Sequence, residues 1–231
     1  MFAIIRTDIR NILRDPSLLI ICVVPFIMLA MLRWGYLWLL EIWPDVVIYK
    51  NLGMAMFCIT GAVMPGIAIA FAILDEKDQN LDTVLKILPV YYHTITKIRM
   101  LVVFSFAFFS ALLILVFSNI IQVTILEKVL LSLLTASLAP ILASVPAFYA
   151  QNKIEGATMA KLLNFLIILP LPAFLFPGVW GWFLMLIPSW WVYFAFESVA
   201  NPLIFAAAFA GGLLFSTAFM VYLNKKTWSR L

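Results

Sequence analysis

The stretch LGMAMFCITGAVMPGIAIAFAILDEKD, residues Leu52–Asp78, decides the fold class of this chain. Its first part, Leu52–Leu74, carries no charged side chain. A helix needs about 20 apolar residues to cross the hydrocarbon core of a bilayer, so this part is long enough to span a membrane. Four charged residues, Asp75–Asp78, follow without a break. The pattern predicts a membrane-spanning helix that ends in a charged segment at the membrane surface.

The composition of the whole chain also indicates a membrane protein. Of its 231 residues, 65% are hydrophobic and 11% are charged, whereas soluble domains are roughly 45–50% apolar and about 25% charged. This excludes a cytosolic enzyme, a secreted disulfide domain, a disordered protein and a coiled coil. Cys22 and Cys58 lie in apolar runs, and we interpret them as reduced packing residues.

Six apolar runs predict an all-α polytopic membrane protein with one transmembrane domain, residues 1–231. Before them, residues 1–15 alternate apolar and basic side chains at helical spacing, which predicts an amphipathic helix lying in the membrane surface and ended by Pro16. The predicted spans are Ser17–Leu39, Leu52–Leu74, Met100–Ile121, Val129–Ala150, Leu162–Phe176 and Leu203–Leu223.

The stretch Pro177–Pro202 is apolar but broken by prolines and glycines, and it carries a cluster of tryptophans. Such residues do not suit a straight span, and tryptophan favours the head-group level of a membrane. We predict two short helices that form a re-entrant hairpin in the outer leaflet. A seventh span is the alternative.

The basic residues predict the orientation. Twelve of the fifteen lysines and arginines lie on one side of the six predicted spans, and only Arg33, Lys50 and Lys128 lie on the other. The positive-inside rule makes the side with twelve bases cytoplasmic, with both termini. The excess of base is therefore a topology signal, and no nucleic-acid partner is expected.

The sequence predicts no catalytic, cofactor or metal site. It contains no G-x-x-x-x-G-K-[ST] motif to hold ATP phosphates, and its single histidine, His93, lies in a predicted cytoplasmic loop.

The loop after the second span carries a more informative pattern of charged and apolar residues. After Asp75–Asp78, apolar residues recur at helical spacing up to Pro89, which predicts a short cytoplasmic amphipathic helix. Its apolar positions are Leu81, Val84, Leu85 and Leu88.

In this loop the chain resembles an ABC-2 type transporter permease. The resemblance is carried by the acid–base–acid run Asp75–Asp78 and by the leucine-rich helix ending in Pro89–Val90. Arg14–Pro16 resembles the end of the family's connecting helix, and Ile187–Trp190 resembles part of its re-entrant hairpin.

The resemblance implies the membrane subunit of an ABC exporter in the bacterial cytoplasmic (inner) membrane. Such a permease pairs with a second copy or a related chain and binds a separate ATPase subunit, which holds ATP and Mg²⁺. The segment Glu76–Pro89, with Asp75, would transmit the motion of the ATPase. A second, smaller contact is expected in the loop 151–161. The implied coupling residues are Asp75, Glu76, Lys77, Asp78, Leu81, Leu85, Leu88, Pro89, Lys153 and Glu155.

A pathway between two copies would be lined by the second and fifth spans, although ordinary helix packing explains the same residues. The candidates are Met54, Met56, Thr60, Met64 and Asn164. Arg33 and Glu197 are candidates for a gate or rim. For Arg33, the alternatives are interface anchoring and a role in a cavity. For Glu197, they are a rim or hairpin-stabilising role and a gate or substrate contact. The apolar faces favour a lipophilic or amphipathic substrate such as a drug, lipid or peptide. A haem- or cytochrome-assembly permease, a non-transporting membrane scaffold and a secondary carrier remain alternative functions.

Overall fold

The computed structural model describes residue 10 and residues 13–79, 92–176, 178 and 181–228, and these residues form helices with no strand. The predicted all-α fold is confirmed. The predicted interfacial helix at residues 1–15 lies almost entirely outside the described residues. The helices are α1 (Pro16–Ala30), a π-helix (Met31–Gly35), α2 (Tyr36–Ile42), a 3₁₀ helix (Pro44–Tyr49), α3 (Lys50–Asp78), α4 (Tyr92–Ser118), α5 (Ile125–Ala136), α6 (Leu138–Tyr149), α7 (Lys153–Ile168), α8 (Leu171–Leu175), α9 (Gly181–Leu184), α10 (Pro188–Glu197) and α11 (Pro202–Trp228).

Within this part of the chain, six helical segments are long and apolar enough to cross a membrane, which confirms the predicted number. We call them spans 1 to 6. They are Leu18–Ile42, Pro44–Asp78, Thr94–Ser118, Ile125–Tyr149, Lys153–Leu175 and Pro202–Leu223.

The helix that contains span 5 begins at Lys153, before the predicted first residue of the span, Leu162. Asn152 caps the helix, because its Oδ1 accepts a hydrogen bond from the Glu155 backbone N–H at 2.8 Å. The Glu155 carboxylate in turn accepts one from the Gln151 backbone N–H at 2.8 Å. The first turns of this helix are polar, so apolar runs alone place its start too late.

Span 2 is the centre of the bundle. Its main helix, α3, packs against α1, α4, α6, α7 and α10. Of its most apolar window, 78% is buried, compared with 17% for spans 1 and 5 and 22% for span 6. Spans 1, 5 and 6 therefore present apolar faces that a bilayer or another chain has to cover.

Small residues let the central helices approach closely. A Cβ atom at Gly66 of α3 would lie 2.9 Å from Cγ1 of Val103 and 3.3 Å from the Ala139 carbonyl oxygen. Span 4 bends at Ser137, where α5 meets α6. Pro140 explains this break, since its ring clashes with the carbonyl of the residue four positions earlier in a helix.

The two short helices predicted between spans 5 and 6 are present as α9 and α10. The ring of Trp191 lies against Gly211 of α11, and the Cβ atom of Trp191 lies beside Gly212. Gly212 is about 15 Å along the axis of α11 from its first residue, at 1.5 Å per residue. The N-terminal half of α10 thus lies beside the middle of span 6, while its last residue, Glu197, contacts the start of α3. That this segment re-enters the membrane stays a prediction.

Candidate functional site

The charged residues after the apolar part of span 2 form the last turn of α3, not a separate loop. The helix ends at Asp78, and the Gln79 backbone N–H still donates to the Asp75 carbonyl oxygen at 3.1 Å. Each of the four side chains, Asp75 to Asp78, contacts another part of the protein. We call this cluster, with Asp15, Arg99, Ala150 and Lys153, the charged end of the bundle.

Glu76 is paired with Arg99 of α4. The guanidinium donates two hydrogen bonds to the carboxylate, from Nη1 to Oε2 at 2.8 Å and from Nη2 to Oε1 at 2.5 Å. The side chains are 6% exposed for Arg99 and 17% exposed for Glu76. A bidentate pair with little solvent around it fixes the relative position of the two helices.

Lys153, the first residue of α7, bridges two acids. Its Nζ lies 3.0 Å from Oδ1 of Asp75 and 3.4 Å from Oδ2 of Asp15, which precedes span 1. Its backbone N–H donates to Oδ2 of Asp78 at 3.2 Å. These groups are about one-third exposed, so the bridge holds spans 1, 2 and 5 together more weakly than the Glu76–Arg99 pair holds spans 2 and 3.

Lys77 completes the cluster. Its Nζ donates to the carbonyl oxygen of Ala150, the residue that directly follows α6, at a distance of 3.0 Å. A cation at this position satisfies a helix C-terminal carbonyl that has no partner within the helix. Through its last turn, α3 is therefore joined to spans 1, 3, 4 and 5.

A cleft of about 290 Å³ lies beside the charged end. Arg14, Asp15, Asp75, Glu76 and Gln79 supply its polar wall, and Leu18 and Ala72 supply its apolar floor. The cleft borders the place where the chain leaves α3 toward residues 80–91. The predicted coupling residues Leu81, Leu85, Leu88 and Pro89 lie outside the described residues.

At the opposite end of the bundle, Glu197 closes α10 against span 2. Its carboxylate accepts a hydrogen bond from the Leu52 backbone N–H, and burial, the larger effect, raises the pKa of Glu197. In the described part of the chain, its Oε1 and the hydroxyl of Tyr193 are buried without a hydrogen-bond partner. This environment fits the hairpin-stabilising role more closely than a solvent-exposed rim.

A sequence profile of the family described as "Fluoroquinolones export permease protein Rv2686c-like" matches residues 8–224. The chain belongs to this family. Two relatives from two strains of Mycobacterium tuberculosis are named "Fluoroquinolones export permease protein MT2760" and "Fluoroquinolones export permease protein Rv2686c". Each is 25% identical to this chain over 244 residues, which covers 96% of this chain and 91% of the relative. No solved structure matches the chain.

The residues predicted to line a pathway lie at different depths of the permease. Met54 is fully buried, receives a hydrogen bond from Ser118 Oγ at 3.7 Å and lines a cavity between spans 1 and 2. Thr60 donates to the Met56 carbonyl oxygen within its own helix at 2.8 Å. Met64 is half-buried against the core. Asn164 of α7 is half-buried. A pathway formed with a second copy stays a prediction.

Arg33 lies in the π-helix of span 1 and is exposed. It lines a groove of about 270 Å³ with Phe26, Trp34 and Phe117. An exposed arginine among aromatic rings suits anchoring at the membrane interface. Its role as a gate stays a prediction.

Two residues of the charged end of this permease were missed from the sequence. Arg99 and Asp15 were counted only as topology signals or family-like endings, yet they pair with Glu76 and Lys153. A search for opposite charges at the ends of neighbouring helices would have suggested both residues as members of ion pairs. Glu155, which is predicted to contact a partner, accepts a hydrogen bond from Gln151 at the start of α7, and the partner contact stays a prediction.

Proposed function

We propose that this chain is the membrane-spanning permease subunit of an ATP-driven ABC exporter. Its cargo would be amphipathic aromatic drugs of the fluoroquinolone class, moved outward. The proposal is supported by the family and by the two relatives named as fluoroquinolone export permeases. Since the sequence lacks a phosphate-binding loop, ATP and Mg²⁺ would be bound by a separate ATPase subunit, and this chain would not be an enzyme.

The observation that carries the coupling role is the set of contacts made by Asp75–Asp78. Span 2 is the central helix, and its last turn is tied to four other spans through Arg99, Lys153, Asp15 and Ala150. A displacement of residues 80–91, which continue directly from this turn, would therefore move the ends of several spans together. The structure thus offers a rigid base for a partner that pushes on the predicted amphipathic helix.

The orientation follows from the distribution of basic residues. The charged end would face the cytoplasm with both termini, in the cytoplasmic membrane of a bacterium. The opposite end, where α10 meets span 2, would then face outward. The apolar exposed faces of spans 1 and 5 offer a surface for a second permease copy, and a pathway would form between the two copies.

The experiment is co-purification of the permease with its ATPase from cells that express both. We expect a complex whose vanadate-sensitive ATP hydrolysis rises when a fluoroquinolone is added. Leu85→Asp places a charge in the predicted docking helix and leaves Glu76 and Arg99 themselves unchanged, so it should abolish the complex. Lys128→Gln, at the opposite end, is the matched control and should leave the complex intact.

A permease that purifies alone and moves drug in response to a proton gradient, without ATP, would contradict the proposal. So would a complex whose ATP hydrolysis is the same for the Leu85→Asp variant and the wild type.

A further inference from the structure

A cavity of about 260 Å³ lies between span 1 and the beginning of span 2, at the end of the bundle opposite the charged end. Its walls are almost wholly apolar and include the aromatic residues Tyr36, Trp38 and Phe57. Lys50 is its charged residue, and Gly35 and Gly53 lie in its two walls. Small-molecule sites in proteins have this character, with apolar walls and a few polar groups that fix orientation.

The two glycines have no packing reason to be glycine. A Cβ atom at Gly35 or Gly53 would meet nothing within 4 Å. At Gly61, Gly66 and Gly212 it would lie 2.5, 2.9 and 2.7 Å from a neighbouring side chain. Glycine in a helix interior costs about 1 kcal/mol relative to alanine. No close helix contact within the chain offsets this cost at residues 35 and 53, and both residues line the cavity.

The wall contributed by span 1 has an irregular backbone. Residues Met31–Gly35 form a π-helix, and Met31, Leu32 and Gly35 of this turn line the cavity. Single π-turns within α-helices occur frequently at functional sites. The π-turn, to which Gly35 belongs, therefore lies at the same cavity as Gly53 of span 2.

The charge at the cavity is positive. Lys50 is the first residue of α3, and the Leu52 backbone N–H in the same turn donates to the Glu197 carboxylate. The charge offered to a ligand is therefore the ammonium group of Lys50, which attracts an anion. The cavity is therefore complementary to a flat apolar molecule that carries one negative charge at its edge.

We propose that this cavity binds aromatic carboxylates, with the carboxylate at Lys50 and the ring system between the walls that contain Gly35 and Gly53. This rests on the proposed function, because fluoroquinolones are planar aromatic carboxylic acids. The cavity proposal goes beyond the proposed function because it assigns the binding site to spans 1 and 2 of one chain, at the end opposite the ATPase.

The test measures equilibrium binding of flumequine, a fluoroquinolone without a basic amine, and of its uncharged methyl ester to the purified full-length permease in phosphatidylcholine nanodiscs, by drug fluorescence anisotropy. Lys50→Gln should weaken binding of the acid by about tenfold and leave the ester unchanged, since only the acid makes the charged contact. Gly53→Leu fills the cavity and should weaken both ligands by about tenfold or more. Gly53→Ala, which meets no neighbour, should give a smaller loss with an unchanged melting temperature.

Lys128→Gln and Gly181→Ala are the matched controls, since neither residue lines the cavity, and both should bind like the wild type. Equal affinities for the Lys50→Gln and Lys128→Gln variants would overturn the proposal. An unchanged drug affinity of the Gly53→Leu variant would also overturn the proposal. So would a loss of affinity that depends on added phosphatidylglycerol in the nanodisc and not on the drug.

The outcomes that contradict the cavity proposal differ from those that contradict the proposed exporter function. If the drug still stimulates ATP hydrolysis by the complex while the cavity variants bind like wild type, the exporter stands and the site is elsewhere. If wild type neither binds the drug nor responds to it, both the cavity proposal and the fluoroquinolone-class substrate are wrong.

Discussion

The guanidinium of Arg99 donates two hydrogen bonds to the carboxylate of Glu76, and this pair joins the ends of spans 2 and 3 away from solvent. The two residues lie 23 positions apart in the chain, on either side of the segment 80–91. The pair closes the base of that segment, because residues 80–91 leave span 2 just after Glu76 and return just before Arg99.

Removing one partner of the Glu76–Arg99 pair should destabilise the fold strongly. Arg99→Met leaves the Glu76 carboxylate unpaired and mostly buried, which costs about 3–5 kcal/mol in comparable pairs. We expect a lower melting temperature in detergent, measured by intrinsic fluorescence. The double variant Glu76→Arg, Arg99→Glu should recover part of the loss, and a double variant no more stable than Arg99→Met would contradict the pairing.

Breaking the Lys153 bridge should cost much less. Lys153 and its partners Asp75 and Asp15 are about one-third exposed. Exposed ion pairs contribute about 0–1 kcal/mol. Lys153→Gln should therefore shift the melting temperature only slightly, and the shift should shrink further in high salt. A loss as large as that of Arg99→Met would show that Lys153 is held more tightly than its exposure indicates.

The close packing of α10 against span 6 should be sensitive to one methyl group. A Cβ atom at Gly212 would lie 2.7 Å from Cδ1 of Leu134 and 3.0 Å from Cβ of Trp191. Overpacking of this kind costs about 1–3 kcal/mol. We expect Gly212→Ala to lower the melting temperature, while Gly53→Ala, with open space around it, should leave it unchanged or raise it. Equal melting temperatures for the two variants would contradict this packing.

Glu197 should make stability depend on pH. It lies outside the six spans, and burial raises its pKa in the folded protein. The folded state then holds the proton on Glu197 more tightly than the unfolded state does. Below the pKa of Glu197 in the unfolded state, this difference contributes fully to the stability of the fold, and the contribution is lost as the pH rises through the pKa in the folded state. In Glu197→Gln this loss is absent. The melting temperature of the variant relative to wild type should therefore increase from acid to neutral pH.

A relative melting temperature that is flat across this pH range would show that the Glu197 carboxylate is solvated in the folded protein. Glu41→Gln, at an exposed acid near the same end of the bundle, is the control for the removal of one carboxylate.

The sequence by itself determined the all-α membrane fold and the number of spans, because an apolar run of about 20 residues has no stable alternative to crossing a bilayer as a helix. It also indicated that Asp75–Asp78 continue from span 2. It did not place the start of span 5, since the polar cap of α7 resembles a loop in composition.

Only the tertiary structure decided which charges pair. Composition shows Arg99 as one more basic residue near the membrane, and its partner Glu76 is identified only once spans 2 and 3 lie antiparallel. Only the structure distinguished Gly212, which allows close helix contact, from Gly53, which faces open space. Pairing and free volume depend on distances between residues far apart in the chain, and a linear pattern of apolar and charged residues does not contain those distances.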